Sequence, residues 1–351
     1  MQQKSASSLG DGFSFLTSRK VLWLLLLIAA IAIIAITVFI TPKMLAAYYF
    51  NRGNTYLDQG QNTKAISDYT KAIQLDSQNE LVYYSRGIAY DQLKKHAQAL
   101  ADFNSAIKLN PSYAKAYDNR GYVYFEQSEN LQALADYTRA IELDPKDAQA
   151  YINRGWIYYE QSQHEQALND YNTAIDLNPY NPRAYDDRGK IYRQLGQYAQ
   201  ATADFGKAIQ LNPRFAVAFN DRGNVYLDQS EYELALADYN EAIQLNPQES
   251  LAYNNLGVVY SRQGQYDLAI AYITKAIQLN PQDAIAYNNR GFAYYEQSKF
   301  IQAIVDYTEA IQLYPQYALA YNNRGKAYQA LGQQTQANAD FQKYKELSGT
   351  P

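Results

Sequence analysis

Residues 284–315 read AIAYNNRGFAYYEQSKFIQAIVDYTEAIQLYP, and a shift of 34 residues in either direction lands on a near copy. Glycines mark the period: Gly53, Gly87, Gly121, Gly155, Gly189, Gly223, Gly257, Gly291 and Gly325 follow one another at 34 residues with no insertion. A fixed period of this length signals a solenoid, in which each unit buries its apolar face against its neighbours. Nine units run over residues 46–351, behind 45 N-terminal residues. No stretch outside them is large enough for a catalytic domain.

Within a unit, two helical patterns flank a polar turn. In the quoted copy they are expected near Ala284–Gln297 and Phe300–Leu313, with Ser298-Lys299 between. Apolar and aromatic residues recur at helical spacing, Tyr287, Gly291 and Tyr294 in the first pattern and Ala303, Tyr307, Ala310 and Ile311 in the second. Gly291 and Ala303 are small where two helices must come close, and a larger side chain there would overpack by about 1–3 kcal/mol. Ala310 and its counterparts let the next unit dock. Seven prolines at one place of the period, Pro281 and Pro315 among them, stop second helices and set up the following ones. The last unit has Tyr344-Lys345 where others have Ala-Ile, and reads as the polar cap a solenoid needs.

These places, an aromatic, Gly, Tyr, Ala, a second aromatic, Ala and Pro on a 34-residue period, resemble the tetratricopeptide repeat family in all nine units. The resemblance implies an all-α fold, a right-handed superhelical solenoid of antiparallel helix pairs. It also implies a concave groove lined by first helices and a role in binding peptide segments of partner proteins. The family's chaperone-tail carboxylate clamp does not carry over, because its Lys and Arg are missing from the matching groove places.

Two departures stand out. Just before the glycine, where the family usually has leucine, eight units carry Arg, and eight carry Asp sixteen residues later; the seventh unit lacks both, with Leu256 and Tyr272. Arg290 and Asp306 are therefore expected to pair across their two helices, the alternative being two solvated charges.

Residues 21–40, VLWLLLLIAAIAIIAITVFI, hold 20 residues without a charge. As a helix they span about 30 Å, the hydrocarbon thickness of a bilayer. The expected organisation is a polar tail at 1–20, a transmembrane helix at 21–40, a short linker at 41–45 and the repeats at 46–351. Lys4, Arg19 and Lys20 precede the span while Lys43 and Arg52 follow it. That bias places the N-terminus in the cytoplasm and the repeats on the outer side, periplasmic or lumenal, in a bacterial-type source.

Net charge is −4, against the basic stripe that nucleic-acid binding needs, and there is no cysteine for a thiolate metal site. His96 and His164 occupy equivalent places two units apart, too far to share a metal, so no metal site and no cofactor is expected. No phosphate loop, HExxH or nucleophile elbow occurs, so an enzyme acting on a small-molecule substrate is not expected. Of 36 tyrosines, 22 fall at the fourth, eleventh and twenty-fourth places, which are packing places.

The variable places of the first helices are left to carry specificity. By the resemblance, those two before the glycine and one, four and five after it face the groove. The first is nearly a ladder, Asn51, Asn119, Asn153, Asn255, Asn289 and Asn323, with Asn220, Asn254, Asn288 and Asn322 beside it in the later units. Asn offers both donor and acceptor and so can hold an extended backbone without reading its sequence, or is simply a tolerable polar residue on a solvated face. Units three and four present Tyr122, Phe125, Glu126, Trp156, Tyr159 and Glu160 instead. These either seat an apolar or cationic side chain or pack first helices against each other. Acids modestly outnumber bases along the lining, which favours a partner with basic segments. The expected function is a membrane-anchored, non-enzymatic scaffold; the alternative is an assembly or structural factor docking a membrane complex on the convex face.

Overall fold

The computed structural model describes residues 21–30 and 41–349. Residues 21–30 are helical, and all but the first of them are exposed. The rest of the expected span, residues 31–40, and the tail at 1–20 lie outside the described residues. Among the described residues no helix is long and apolar enough to cross a membrane.

Beyond residue 41 the described chain is helical hairpins without strands, in two compact units. The first unit, Met1–Lys146, holds three hairpins: α1 (Pro42–Asp58) with α2 (Asn62–Leu75), α3 (Glu80–Gln92) with α4 (His96–Leu109), and α5 (Ala114–Glu126) with α6 (Asn130–Leu143). The second, Asp147–Pro351, holds six: α7 (Ala148–Glu160) with α8 (His164–Leu177), α9 (Pro182–Gln194) with α10 (Tyr198–Leu211), α11 (Ala216–Asp228) with α12 (Tyr232–Leu245), α13 (Ser250–Arg262) with α14 (Tyr266–Leu279), α15 (Ala284–Glu296) with α16 (Phe300–Leu313), and α17 (Ala318–Ala330) with α18 (Gln334–Ser348).

Short-range chemistry sets both turns of a hairpin. Between its helices one residue adopts a left-handed backbone: Gly60, Gly196, Gly264 and Gly332 in four hairpins, Lys94, Ser128, Ser162, Ser230 and Ser298 in the others. After the second helix of the first seven hairpins an Asn or Asp folds back on the backbone two residues on, as Asn280 Oδ1 does by accepting from Gln282 N at 3.1 Å. This Asx turn, with the proline that follows, directs the chain into the next first helix.

Packing then fixes the angle within the hairpin. A Cβ on Gly291 would lie 2.8 Å from Tyr307 Cε1, so the absent side chain is what admits the buried ring. Ala303 and Ala310 are fully buried, as are Ala269, Ala276 and their equivalents throughout.

A guanidinium holds each hairpin that has one. Arg290 donates from Nε to Asp306 Oδ2 and from Nη2 to Asp306 Oδ1, both at 2.8 Å. The same fork joins Arg52 to Asp68, Arg86 to Asp102, Arg120 to Asp136, Arg154 to Asp170, Arg188 to Asp204, Arg222 to Asp238 and Arg324 to Asp340. The aspartates are buried although charged, which a bidentate partner makes tolerable. Nη1 then reaches back to the preceding hairpin's second helix, from Arg290 to Thr274 Oγ1 and from Arg324 to Thr308 Oγ1, each at 3.1 Å. Tyrosines three before and four after the arginine flank its plane: Arg324 Cζ lies 5.7 Å from the Tyr321 ring and 5.8 Å from the Tyr328 ring. The tyrosines at the fourth and eleventh places are thus the walls of an arginine slot as well as core.

The seventh hairpin solves the same problem without charge. Leu256 is fully buried, and Tyr272 stacks on Tyr260 at 5.3 Å and 7° between ring planes. Asn240, which an arginine would have engaged, turns to its own helix and donates to Leu236 O at 2.8 Å.

Candidate functional site

Within each unit, first helices of successive hairpins touch one another, α1 with α3 and α3 with α5, then α7 with α9 and onward to α17; no pair of second helices does so comparably. First helices therefore line the inner side of each stack.

The asparagines of this lining bind one another. Asn255 Nδ2 donates to Asn220 Oδ1 at 3.0 Å, Asn289 to Asn254 at 3.1 Å and Asn323 to Asn288 at 3.0 Å. Asn220, Asn254 and Asn288 are buried, and their carbonyls are committed to this clasp between adjacent first helices. Asn255, Asn289, Asn322 and Asn323 are half-buried. What faces outward in the later hairpins is more apolar: Val217, Leu251, Ile285 and Leu319 stand exposed at the second place of their units, and Phe292 is 40% exposed. A hollow of about 260 Å³ lies among Val258, Arg262, Asn289, Phe292, Leu319 and Asn323.

Where the ladder is interrupted by Asp187 and Asp221, Lys190 fills the gap. Its Nζ lies 2.6 Å from Asp186 Oδ2, 3.3 Å from Asp187 Oδ1 and 3.6 Å from Asp221 Oδ2. Burial, and Asp221 and Asp187 beside it, push Asp186 up to about 7 despite the lysine. Lys190 itself is held above its ordinary value by the three carboxylates, against its own burial. The ammonium also lies 5.7 Å from the Trp156 ring, which packs on Tyr159 at 5.4 Å. The cationic guest that Trp156 and Tyr159 invite is thus already supplied by the chain. Glu160 remains exposed.

In the first unit Asn51 is exposed on α1 and Asn119 donates to Tyr84 OH at 3.1 Å, the same register as the Asn clasps of the second unit. Tyr122 donates to Glu126 Oε1 at 3.0 Å, and Phe125 is half-buried beside them. Asn153, on α7, accepts from Gln149 Nε2 at 2.8 Å. Trp156, Tyr159 and Glu160 belong to the other unit from Tyr122, Phe125 and Glu126. Much of the acid excess is paired internally: Glu126 with Lys94, Asp228 with Arg193, Asp187 with Arg183 and Lys190.

Models of the tetratricopeptide repeat match residues 53–94, 121–162 and 223–264, residues 81–113, 250–283 and 284–317, residues 155–222, and residues 306–337. Between residues 53 and 337 these matches omit only residues 114–120. The chain belongs to the tetratricopeptide repeat family. Solved structures of the fold agree. A chain of the APC/C hetero-tetramer Cut9-Hcn1 is 20% identical with a TM-score of 0.63, over 79% of this chain and 54% of that one. This tetratricopeptide repeat protein thus spans about half the length of that relative. A tetratricopeptide repeat protein from Parabacteroides merdae is 23% identical with a TM-score of 0.59, over 71% and 98% of the two chains. Pseudomonas aeruginosa pilF is 24% identical with a TM-score of 0.53, over 64% and 98%. No curated protein matches. Tetratricopeptide repeats are protein–protein interaction modules, and this repeat protein is built as an interaction scaffold.

In the sequence the place-five and place-six asparagines read as two series open to a ligand. A 35-residue separation, one period plus one, instead brings Asn119, Asn255, Asn289 and Asn323 against the place-five residue of the preceding hairpin. That spacing is visible in the sequence. The carboxylates that neighbouring helices bring to His96 leave no mark in the spacing of His96 from His164.

Proposed function

We propose that this protein holds an extended peptide segment of a partner along the inner face of α11, α13, α15 and α17. The observation that carries the reading is the exposed row Leu251, Ile285 and Leu319, with Leu319, Phe292 and the half-buried Asn289 and Asn323 around one hollow. Apolar side chains alternating along a strand can seat there while amide groups meet its backbone. An uncharged or mildly apolar segment fits better than a basic one, because Asp221 and Asp228 on α11 are already paired with Lys190 and Arg193. The N-terminal segment is proposed as a membrane anchor, N-terminus in the cytoplasm and repeats outside; protease added to spheroplasts should then remove the repeats, and full protection would refute that orientation.

Peptide selection on the full-length chain tests the groove. Ile285→Glu with Phe292→Glu, both exposed, should abolish capture of the selected peptides without unfolding the chain. A second reading, docking of an assembly on the outer face, rests on Ile301 and Val305, one turn apart on α16 and 69% and 63% exposed. Loss of capture in Ile301→Asp with Val305→Asp, and not in the first pair, would replace the groove by that face.

A further inference from the structure

At the tip of the second hairpin, three side chains from three helices converge on one small volume. Asp91 lies in the last turn of α3, His96 opens α4, and Glu126 ends α5. His96 Nδ1 is 3.4 Å from Asp91 Oδ1 and 3.8 Å from Glu126 Oε2. The three atoms all lie within 4.8 Å of one another. Each is buried and has no hydrogen-bond partner. The other oxygen of Glu126 is fixed from outside, accepting from Lys94 Nζ at 2.5 Å and from Tyr122 OH at 3.0 Å, which turns Oε2 toward His96.

We propose that Asp91, His96 and Glu126 bind one divalent transition-metal ion, with Zn²⁺ the best fit to the donor set. Two carboxylate oxygens and an imidazole nitrogen facing each other with no hydrogen bond made by any of them are costly to bury. A cation among them removes that cost. Donor atoms bound tetrahedrally to Zn²⁺ at about 2.0–2.2 Å stand roughly 3.3–3.5 Å apart. Asp91 and His96 already have that spacing, and Glu126 Oε2, 3.8 Å from Nδ1 and within 4.8 Å of Asp91 Oδ1, closes on them to bind. Three protein ligands leave a fourth position for water. Lys94 and Tyr122, bonded to the far oxygen of Glu126, are the outer shell that aims it. The ion would tie the second hairpin to the third.

His164 supplies the contrast within the chain. It occupies the same place two hairpins on, and its Nδ1 likewise lacks a hydrogen-bond partner. The places of Asp91 and Glu126 are taken there by Tyr159 and Gln194, and Gln194 donates to Tyr159 OH at 2.9 Å. Only at His96 do two carboxylates join the imidazole.

Calorimetric titration of the metal-stripped full-length chain with ZnCl₂ decides the matter. One equivalent should bind, weakened at least about tenfold by His96→Ala and by the near-isosteric Asp91→Asn and Glu126→Gln, and unchanged in His164→Ala. Co²⁺ in place of Zn²⁺ should give the visible absorption of a tetrahedral site, lost in Glu126→Gln. No Zn²⁺ binding through the millimolar range would overturn the proposal and leave His96 as a plain neighbour of the two acids. Binding that His96→Ala leaves intact, or that His164→Ala removes equally, would overturn it too.

Discussion

The Arg290 guanidinium and the Asp306 carboxylate meet fork to fork, two bonds of 2.8 Å each, across the two helices of one hairpin. Arg290 keeps its last amino group for Thr274 of the hairpin before. One side chain therefore sets the angle inside a unit and the spacing to its neighbour. Arg290→Leu or Asp306→Tyr alone should cost about 2–4 kcal/mol, because each strands a buried partner. Together they recreate Leu256 and Tyr272, with Tyr294 in the place of Tyr260. The double variant should therefore lose less than either single one. Urea midpoints of the four proteins check this, and additive losses would show that the pair is not coupled.

Gly291→Ala should destabilise by about 1–3 kcal/mol, since its Cβ would lie 2.8 Å from Tyr307 Cε1, well inside contact distance. Adding Tyr307→Ala should restore none of the stability, because it opens a cavity where the ring packed. Thermal unfolding followed by circular dichroism reads both changes.

Ser298→Gly should be neutral or stabilising by up to about 1 kcal/mol. Ser298 holds a left-handed backbone, φ 59°, that glycine adopts without a Cβ penalty. The equivalent turn in the seventh hairpin already uses Gly264 at φ 75°. A fall in the urea midpoint would contradict it.

The fold should lose stability between about pH 4 and pH 7 through Asp186. Its folded-state value, pushed up to about 7 by burial first and by neighbouring carboxylates second, stands above that of an unfolded aspartate. The stabilisation of the protonated form is complete below the unfolded value and is lost as pH rises through the folded one. The slope is at most about 1.4 kcal/mol per pH unit in that window. Denaturant midpoints of wild type and Asp186→Asn, measured across it, should converge at the acid end and diverge toward pH 8. Parallel curves would remove Asp186 as the source.

The sequence by itself determined the repeat, its two helices, the tight approach at Gly291 and the proline stop after the second helix. These follow from contacts between residues close along the chain or one fixed period apart, so a periodic string carries them. It also marked the arginines and aspartates as partners, since a sixteen-residue offset shared by eight units fits an antiparallel hairpin. Only the tertiary structure decided which polar groups remain for a partner. Asn254 and Asn289 read as the same residue type in neighbouring places, yet one is a buried acceptor and the other half-buried beside a hollow. Lys190 beneath Trp156, and Asp91 and Glu126 around His96, belong to the same class. Their meeting depends on how far one hairpin rotates against the next, a quantity set by packing summed over many side chains and written in no single stretch of the chain.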